Sequence, residues 1–215
     1  KVARVFPKKW RVVLPPSKSL SNRAILLASL TEGKSSLLGL SKSKDTKHMT
    51  KVCHKLGAKF CSSLDKSEII GFGSKVKSIE DYLYMGNAGT TLRFILPILL
   101  FGKGVYKVFA DHYMNLRPHH AIINCLEQVG LQVKFLEKVG FTPFEVSGQV
   151  DVRNLDTLLI DCEQSSQFLS SLLMVSPLFK CPFKIKSTKK TVSFPYVSMT
   201  LNMMRRFGVE VEENA

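Results

Sequence analysis

Apolar and polar positions follow one long pattern that occurs three times along the chain. In each copy, a polar cluster typical of a helix start leads straight into a stretch that is apolar on nearly every side. The three apolar stretches are 24–30, 94–101 and 168–175. A helix that is hydrophobic all round is buried, so we expect the first helix of each copy to lie in the core.

A second, amphipathic helix follows in each copy. In the first copy, Met49, Val52, Cys53 and Leu56 fall at i, i+3, i+4 and i+7, which is the spacing of one helix face. Each of these helices meets a glycine, which can adopt the left-handed conformation that ends helices. The three glycines are Gly57, Gly130 and Gly208.

The pattern predicts three β-α-β-α-β-β units, at about 10–75, 76–150 and 151–215, that form a single domain of the α/β (α+β) class. Helices are predicted at 20–31, 46–56, 88–101, 118–129, 166–176 and 196–207. Strands are predicted at 10–14, 34–40, 58–62, 67–72, 78–84, 104–110, 131–137, 143–148, 157–161, 181–187 and 209–213. The third unit stops one strand short.

Charge changes the picture, because the formal net charge of the 215-residue chain is +14. Such a charge favours an anionic partner, and nucleic acid is the usual first hypothesis. The lysines are spread over the whole chain, however, and no zinc-finger spacing or RNP-type aromatic motif occurs. A solvated basic surface and a small, highly anionic substrate both remain open.

Two further features concern the compartment. The most apolar run, 92–101, contains Arg93 and Pro97 and is far shorter than the roughly 20 residues of a membrane span. The five cysteines form no CxxC pair and are expected to be reduced, buried thiols rather than disulfide or metal ligands. We expect a cytoplasmic protein, or a plastid one if a transit peptide precedes Lys1.

The first candidate for chemistry is the segment that carries Lys18 and Arg23. Pro15 and Pro16 keep the approach extended, and a serine can cap the helix. The segment therefore offers backbone N–H groups, hydroxyls, an ammonium and a guanidinium to one oxyanion. The alternative is a plain serine cap with two exposed cations.

Similar clusters open the other units. The turn Asn87-Ala88-Gly89-Thr90 allows close approach of backbone to a ligand, and Arg117 precedes Pro118 where its guanidinium could clamp a carboxylate or phosphate. In the third unit, Ser165, Ser166 and Gln167 could form a phosphate cradle, and Ser193 with Tyr196 precedes the last helix. The alternatives are helix caps, a surface arginine and turn chemistry around Pro195.

In order and spacing, these motifs resemble the 5-enolpyruvylshikimate-3-phosphate synthase family. The segments are PSKSLSNRAILLASLTEGKSSL, SKDTKHM, GNAGTTLR, MNLRP, SSQFLSSLLM and SFPYVSMTLNMM. That family joins shikimate 3-phosphate to the enolpyruvyl group of phosphoenolpyruvate and releases phosphate, on the way to chorismate and the aromatic amino acids. Its fold has two domains, each of three βαβαββ units, and this chain looks like the N-terminal one.

The resemblance implies roles for individual residues. Lys18 would reach both substrates and act in catalysis. The positions implied to bind shikimate 3-phosphate are Ser19, Arg23, Ser165, Ser166, Gln167, Ser193 and Tyr196, and those implied to bind phosphoenolpyruvate are Asn87, Gly89 and Arg117. The resemblance also implies no cofactor, no metal, no nucleic acid or membrane partner, a monomer, and a C-terminal catalytic domain that is absent here. The fragment alone is therefore expected to be inactive.

Three positions depart from the family pattern: Pro16 replaces a usual glycine, Phe194 a usual lysine and Ser198 a usual acidic residue. Two alternatives stand beside this interpretation. A sister family transfers the same group to a UDP-sugar, but its Lys-Asn loop is not matched by Lys18-Ser19. The other alternative is a non-catalytic module that binds anions or nucleic acid on the same fold.

Overall fold

The computed structural model describes residues 13–63, 65–153 and 155–213. The first unit contains α1 (Lys18–Leu30), β1 (Glu32–Leu38), α2 (Lys44–Lys55), β2 (Lys59–Ser62) and β3 (Lys66–Phe72). The second contains β4 (Tyr82–Tyr84), α3 (Gly89–Ile95), a 3₁₀ helix (Leu96–Phe101), β5 (Tyr106–Phe109), α4 (His120–Glu127), β6 (Leu131–Phe135) and β7 (Phe144–Gly148). The third contains β8 (Thr157–Ile160), α5 (Ser166–Val175), a 3₁₀ helix (Ser176–Phe179), β9 (Lys184–Ser187) and α6 (Pro195–Arg206).

The strands form one sheet for each unit. In the order β4-β5-β7-β6, the first pair is parallel and the other two pairs are antiparallel. The first unit repeats the last three positions as β1-β3-β2, and the third repeats the parallel pair as β8-β9. In the first and second units, the strand that comes last in sequence thus lies between two earlier ones. The predicted mixed α/β class is confirmed.

Two predicted strands have a different outcome. The prediction of a strand at 209–213 is wrong, because these residues have no regular structure. Its counterparts β2 and β6 each pair only with the last strand of their unit, and no such strand follows in the described part of the third unit. Most of the strand predicted at 10–14 lies outside the described residues, and 13–14 are irregular.

The long helix predicted at 88–101 consists of α3 and a 3₁₀ helix that has Pro97 in its first turn. Proline has no N–H and its ring clashes with the preceding turn, so the α-helix does not continue. Pro177 lies at the same place after α5. In the second and third units, the first helix is therefore a short α-helix followed by a 3₁₀ helix.

The core lies where the first helices meet the sheets. The predicted inward face of α2 is confirmed, since Met49, Val52, Cys53 and Leu56 are all at most 2% exposed. The predicted left-handed glycines are also confirmed, with φ of 120° at Gly57, 100° at Gly130 and 80° at Gly208.

The five cysteines are all free thiols. Burial raises the pKa of Cys53 to about 12, so it remains protonated. Cys61 is exposed, and the expectation of burial is wrong there because β2 faces solvent at that position. None of the described helices has the length and apolar character that crossing a membrane requires.

Candidate functional site

The N-terminal end of α1 combines an exposed cation with a buried one. Ser17 caps the helix by accepting a hydrogen bond from the Leu20 backbone N–H. The ammonium of Lys18 lies 2.9 Å from a carboxylate oxygen of Asp45, on the first turn of α2. Half of the Lys18 side chain is exposed, so the ammonium can also contact a ligand.

Arg23 is buried, with 2% of its surface exposed. Its Nε donates to Thr200 Oγ1 (2.7 Å), its Nη1 to the Ser19 carbonyl (3.2 Å), and its Nη2 to Ser170 Oγ and the Tyr196 carbonyl (both 3.3 Å). These bonds use four of the five guanidinium N–H groups. Burial lowers its pKa to about 10, which leaves it charged at neutral pH.

Aromatic rings surround the same guanidinium. Its Cζ lies 5.1 Å from the centroid of the Phe94 ring on α3 and 5.9 Å from that of Tyr196 on α6. Cation–π attraction favours such positions. Arg23 therefore contacts three helices besides its own, and the alternative of an exposed cation at this position is wrong.

The first residue of α3 lies close to Arg117. A Cβ placed on the buried Gly89 would lie 3.3 Å from Arg117 Nη1 and 3.3 Å from Met114 Cε. Asn87 is exposed beside this turn, and it does not cap the helix, since the N-cap residue is Ala88. The Arg117 side chain is exposed and its backbone N–H bonds to the Met114 carbonyl.

Arg93 joins α3 to the start of α5. Its Nη1 donates to Gln167 Oε1 (2.8 Å) and Ser165 Oγ (3.3 Å), and Gln167 Nε2 donates to Thr90 Oγ1 (3.2 Å). The Arg93 Cζ lies 5.1 Å from the centroid of the Phe168 ring. Burial and then the charge of Arg117 lower the pKa of Arg93.

Ser165 and Ser166 differ in exposure. Ser165 caps α5 by accepting from the Gln167 backbone N–H (3.2 Å), whereas Ser166 is only 5% exposed. Ser193 is exposed with a φ of 51°, and its carbonyl accepts from the Tyr196 N–H. This turn carries the exposed Phe194 into the start of α6.

The contacts group the predicted residues into two sets. Arg23 links α1 to Tyr196 on α6, and Arg93 links Ser165 and Gln167 to the helix that begins at Gly89. Sequence reasoning missed four members of these networks as site residues: Thr90, Arg93, Ser170 and Thr200. It also missed Asp45, which pairs with Lys18, and His119, two residues after Arg117. Arg93 follows Gly89 by four positions, which places both on one helix face, so this spacing was a usable signal. No comparable local spacing in the sequence pointed to Thr200 or Ser170.

A protein-family model and curated relatives both match most of this chain. A family model described as EPSP synthase (3-phosphoshikimate 1-carboxyvinyltransferase) matches residues 8–215. Among curated relatives named 3-phosphoshikimate 1-carboxyvinyltransferase, one from Pseudoalteromonas atlantica is 37% identical over 94% of this chain and 48% of its own length. One from Vibrio cholerae is 38% identical over 93% of this chain and 47% of its own length.

Solved structures give the same fold. An EPSP synthase structure from Acinetobacter baumannii superposes with a TM-score of 0.80 at 22% identity, over 94% of this chain and 44% of the solved one. The chain thus spans about half the length of the relatives that it matches. Because the family model covers nearly every residue, the chain belongs to the EPSP synthase (3-phosphoshikimate 1-carboxyvinyltransferase) family.

Proposed function

We propose that this chain supplies one substrate-binding half of an enzyme that transfers the enolpyruvyl group of phosphoenolpyruvate to shikimate 3-phosphate. The observation that carries the proposal is the arrangement of four cations, Lys18, Arg23, Arg93 and Arg117, around the first helices of the three units. Both substrates are highly anionic, and charge-assisted hydrogen bonds bind such groups strongly. Membership of the family supports the same function.

The reaction joins the 5-hydroxyl oxygen of shikimate 3-phosphate to the central carbon of phosphoenolpyruvate, and phosphate leaves. A proton must be added to the enol carbon and later removed, and the hydroxyl must lose its proton. Lys18 is our candidate for the residue of this half that acts in the chemistry, because its ammonium is partly exposed at the start of α1. Asp45 would orient that ammonium through the ion pair of 2.9 Å.

Each substrate would have its own binding residues. Gly89 and Arg117 lie together, and we assign them, with Asn87, to phosphoenolpyruvate. The residues assigned to shikimate 3-phosphate are Ser19, Arg23, Ser165, Ser166, Gln167, Ser193 and Tyr196. Two anions repel each other when they share one cradle, which supports separate groups.

We further propose that the 215 residues form a single domain of three repeats and that a second domain completes the cleft. The match to about half of each relative supports this division. Catalysis would then require both domains, and this chain alone would bind without turnover. We expect a cytoplasmic monomer of the completed protein, acting in aromatic amino acid biosynthesis.

The test is calorimetric titration of the purified chain with shikimate 3-phosphate, followed by a phosphate-release assay with both substrates. Binding without turnover is expected. Lys18→Gln should weaken binding, whereas Lys34→Gln, which removes a comparable exposed ion pair on β1, should not. Equal affinity of the two variants, or robust turnover by the chain alone, would contradict the proposal.

A further inference from the structure

Three described residues have buried side-chain nitrogen or oxygen atoms without a hydrogen-bond partner among the residues that the structure describes. They are Asn22, Arg93 (at Nε) and His119 (at both ring nitrogens). Roughly 90% or more of buried polar groups in native proteins are hydrogen-bonded. His119 follows Arg117 by two positions, and Arg117 lies against Gly89, four residues before Arg93 on α3. The unpartnered atoms of Arg93 and His119 therefore mark a place where a ligand or an ordered water can supply the missing partners.

His119 is held in place without the use of its ring nitrogens. The side chain is 0% exposed and occupies the N-cap position of α4, two residues after Arg117. Its backbone N–H donates to the Gly140 carbonyl (2.9 Å), and its ring packs edge-on against Phe144 on β7, with centroids 6.4 Å apart. Backbone and packing thus fix the imidazole, and its donor and acceptor have no partner in the described part of the chain.

Burial and neighbouring charges keep the His119 imidazole neutral. Burial, followed by the charges of Arg93, His120 and Arg117, lowers the pKa of His119 to about 3. The imidazole is therefore neutral at neutral pH and carries one N–H donor and one acceptor. Arg93 and Arg117 form no ion pair with any carboxylate in the described ranges, so nothing there offsets their charge.

We propose that His119 is a further anion-binding residue of the Arg93–Arg117 site, and that it donates its ring N–H to a bound phosphate group directly or through one ordered water. This inference rests on the proposed function, since it adds a residue to the same site. A neutral imidazole adds a donor to a site that already has two guanidiniums, without adding a third charge. An apolar side chain of the same size could fill the space beside Phe144 but would leave the phosphate one hydrogen bond short.

The first experiment uses the whole chain with ¹⁵N-labelled histidine and inorganic phosphate as the probe. Phosphate is added at constant ionic strength, with chloride as the balancing anion, and the imidazole nitrogen shifts are followed by NMR. The His119 signals should move and saturate. Those of His54 should not, because its Nδ1 already lies 3.0 Å from the Ala58 carbonyl at the end of α2.

The second experiment compares two variants for phosphate affinity. His119→Met keeps an apolar contact with Phe144 but has no N–H donor, and its affinity should fall by about 3- to 10-fold, the effect of one lost hydrogen bond. His119→Gln retains a donor and should stay within about 2-fold of wild type. A role in packing alone would favour Met over Gln, so the order of the two variants separates the roles.

The outcomes distinguish this inference from the proposed function. If the wild-type chain binds neither phosphate nor shikimate 3-phosphate, the proposed function fails and the inference fails with it. If the chain binds phosphate while the His119 signals stay unmoved, or while His119→Met binds as tightly as wild type, only the inference fails. The NMR titration of the wild type decides the question even if His119→Met does not fold.

Discussion

The guanidinium of Arg23 and the hydroxyl of Thr200 form a buried hydrogen bond of 2.7 Å between residues that are 177 positions apart. The bond ties α1 of the first unit to α6 of the third. Thr200 Oγ1 also donates to the Tyr196 carbonyl (2.8 Å) and lies 3.1 Å from Ser170 Oγ. One candidate binding residue is therefore also part of the packing between the first and last units.

Thr200→Val should lower the free energy of unfolding by about 1–3 kcal/mol, because it leaves a buried charged donor without its acceptor. Urea denaturation would measure the loss. Thr50→Val is the matched control, since the Thr50 hydroxyl donates to the Thr46 carbonyl within α2 (3.0 Å) and to no other described residue. This substitution should cost much less. Equal losses in the two variants would show that the Arg23–Thr200 bond contributes no special stability.

Asp45→Asn should increase the affinity for shikimate 3-phosphate by about 2- to 5-fold. The carboxylate lies 2.9 Å from the Lys18 ammonium, and removing its charge makes the site more positive, an effect of about 1 kcal/mol or less for charges separated by water. Calorimetry at low ionic strength would detect the change.

Glu68→Gln provides the control for Asp45→Asn. Glu68 pairs with Lys34 and Lys66 on the first sheet, so its loss raises the net charge by the same amount away from the site. The affinity of the Glu68→Gln variant for shikimate 3-phosphate should match that of wild type. If both variants bind more tightly to the same extent, the effect comes from net charge rather than from Lys18.

The repeat could be predicted from the sequence because its signals are local. The face of α2 and the glycines after the second helices depend on spacing within one element, and both were right. The prediction of a strand at 209–213 was wrong because a strand needs a partner. The corresponding strands β2 and β6 pair with β3 and β7, which come later in the chain. The sequence of 209–213 resembles the earlier strands, but no strand follows it among the residues that the structure describes.

The site could be predicted only in part, for the same physical reason. The starts of α1 and α5 carry local signals, and Ser17 and Ser165 are indeed caps. The burial of Arg23 depends on hydroxyl and carbonyl groups contributed by α5 and α6, which no nearby pattern indicates. His119 was missed because a histidine beside Arg117 and Pro118 resembles an ordinary loop residue.

Acid should destabilise the protein through His119. Its folded-state pKa is about 3, below the ordinary value of about 6.5, so the unfolded chain binds more protons between these values. The contribution of His119 to the free energy of unfolding is complete above about pH 6.5. It is lost as the pH falls toward 3, with a slope of up to about 1.4 kcal/mol per pH unit. Burial, and then the charges of Arg93, His120 and Arg117, favour the neutral ring.

The measurement is the free energy of unfolding from urea titrations between pH 4 and pH 7, for wild type and His119→Met. Carboxylates titrate in part of this range in both proteins, so the difference between the two curves isolates the imidazole. The wild-type curve should fall more steeply with acid. Parallel curves would mean that the buried imidazole is protonated in the folded state as readily as in the unfolded one.

The last prediction separates the two substrates in the completed two-domain enzyme. Arg117→Ala should raise the KM for phosphoenolpyruvate much more than that for shikimate 3-phosphate, and Ser165→Ala combined with Ser166→Ala should do the reverse. Gly89→Ala should resemble Arg117→Ala in a milder form, because the added Cβ would lie 3.3 Å from Arg117 Nη1 and the guanidinium would have to shift by a few tenths of an ångström. Steady-state kinetics with each substrate varied in turn would measure both KM values. An Arg117→Ala enzyme in which both values rise equally would refute separate binding groups, since a single shared cradle would then explain the loss better.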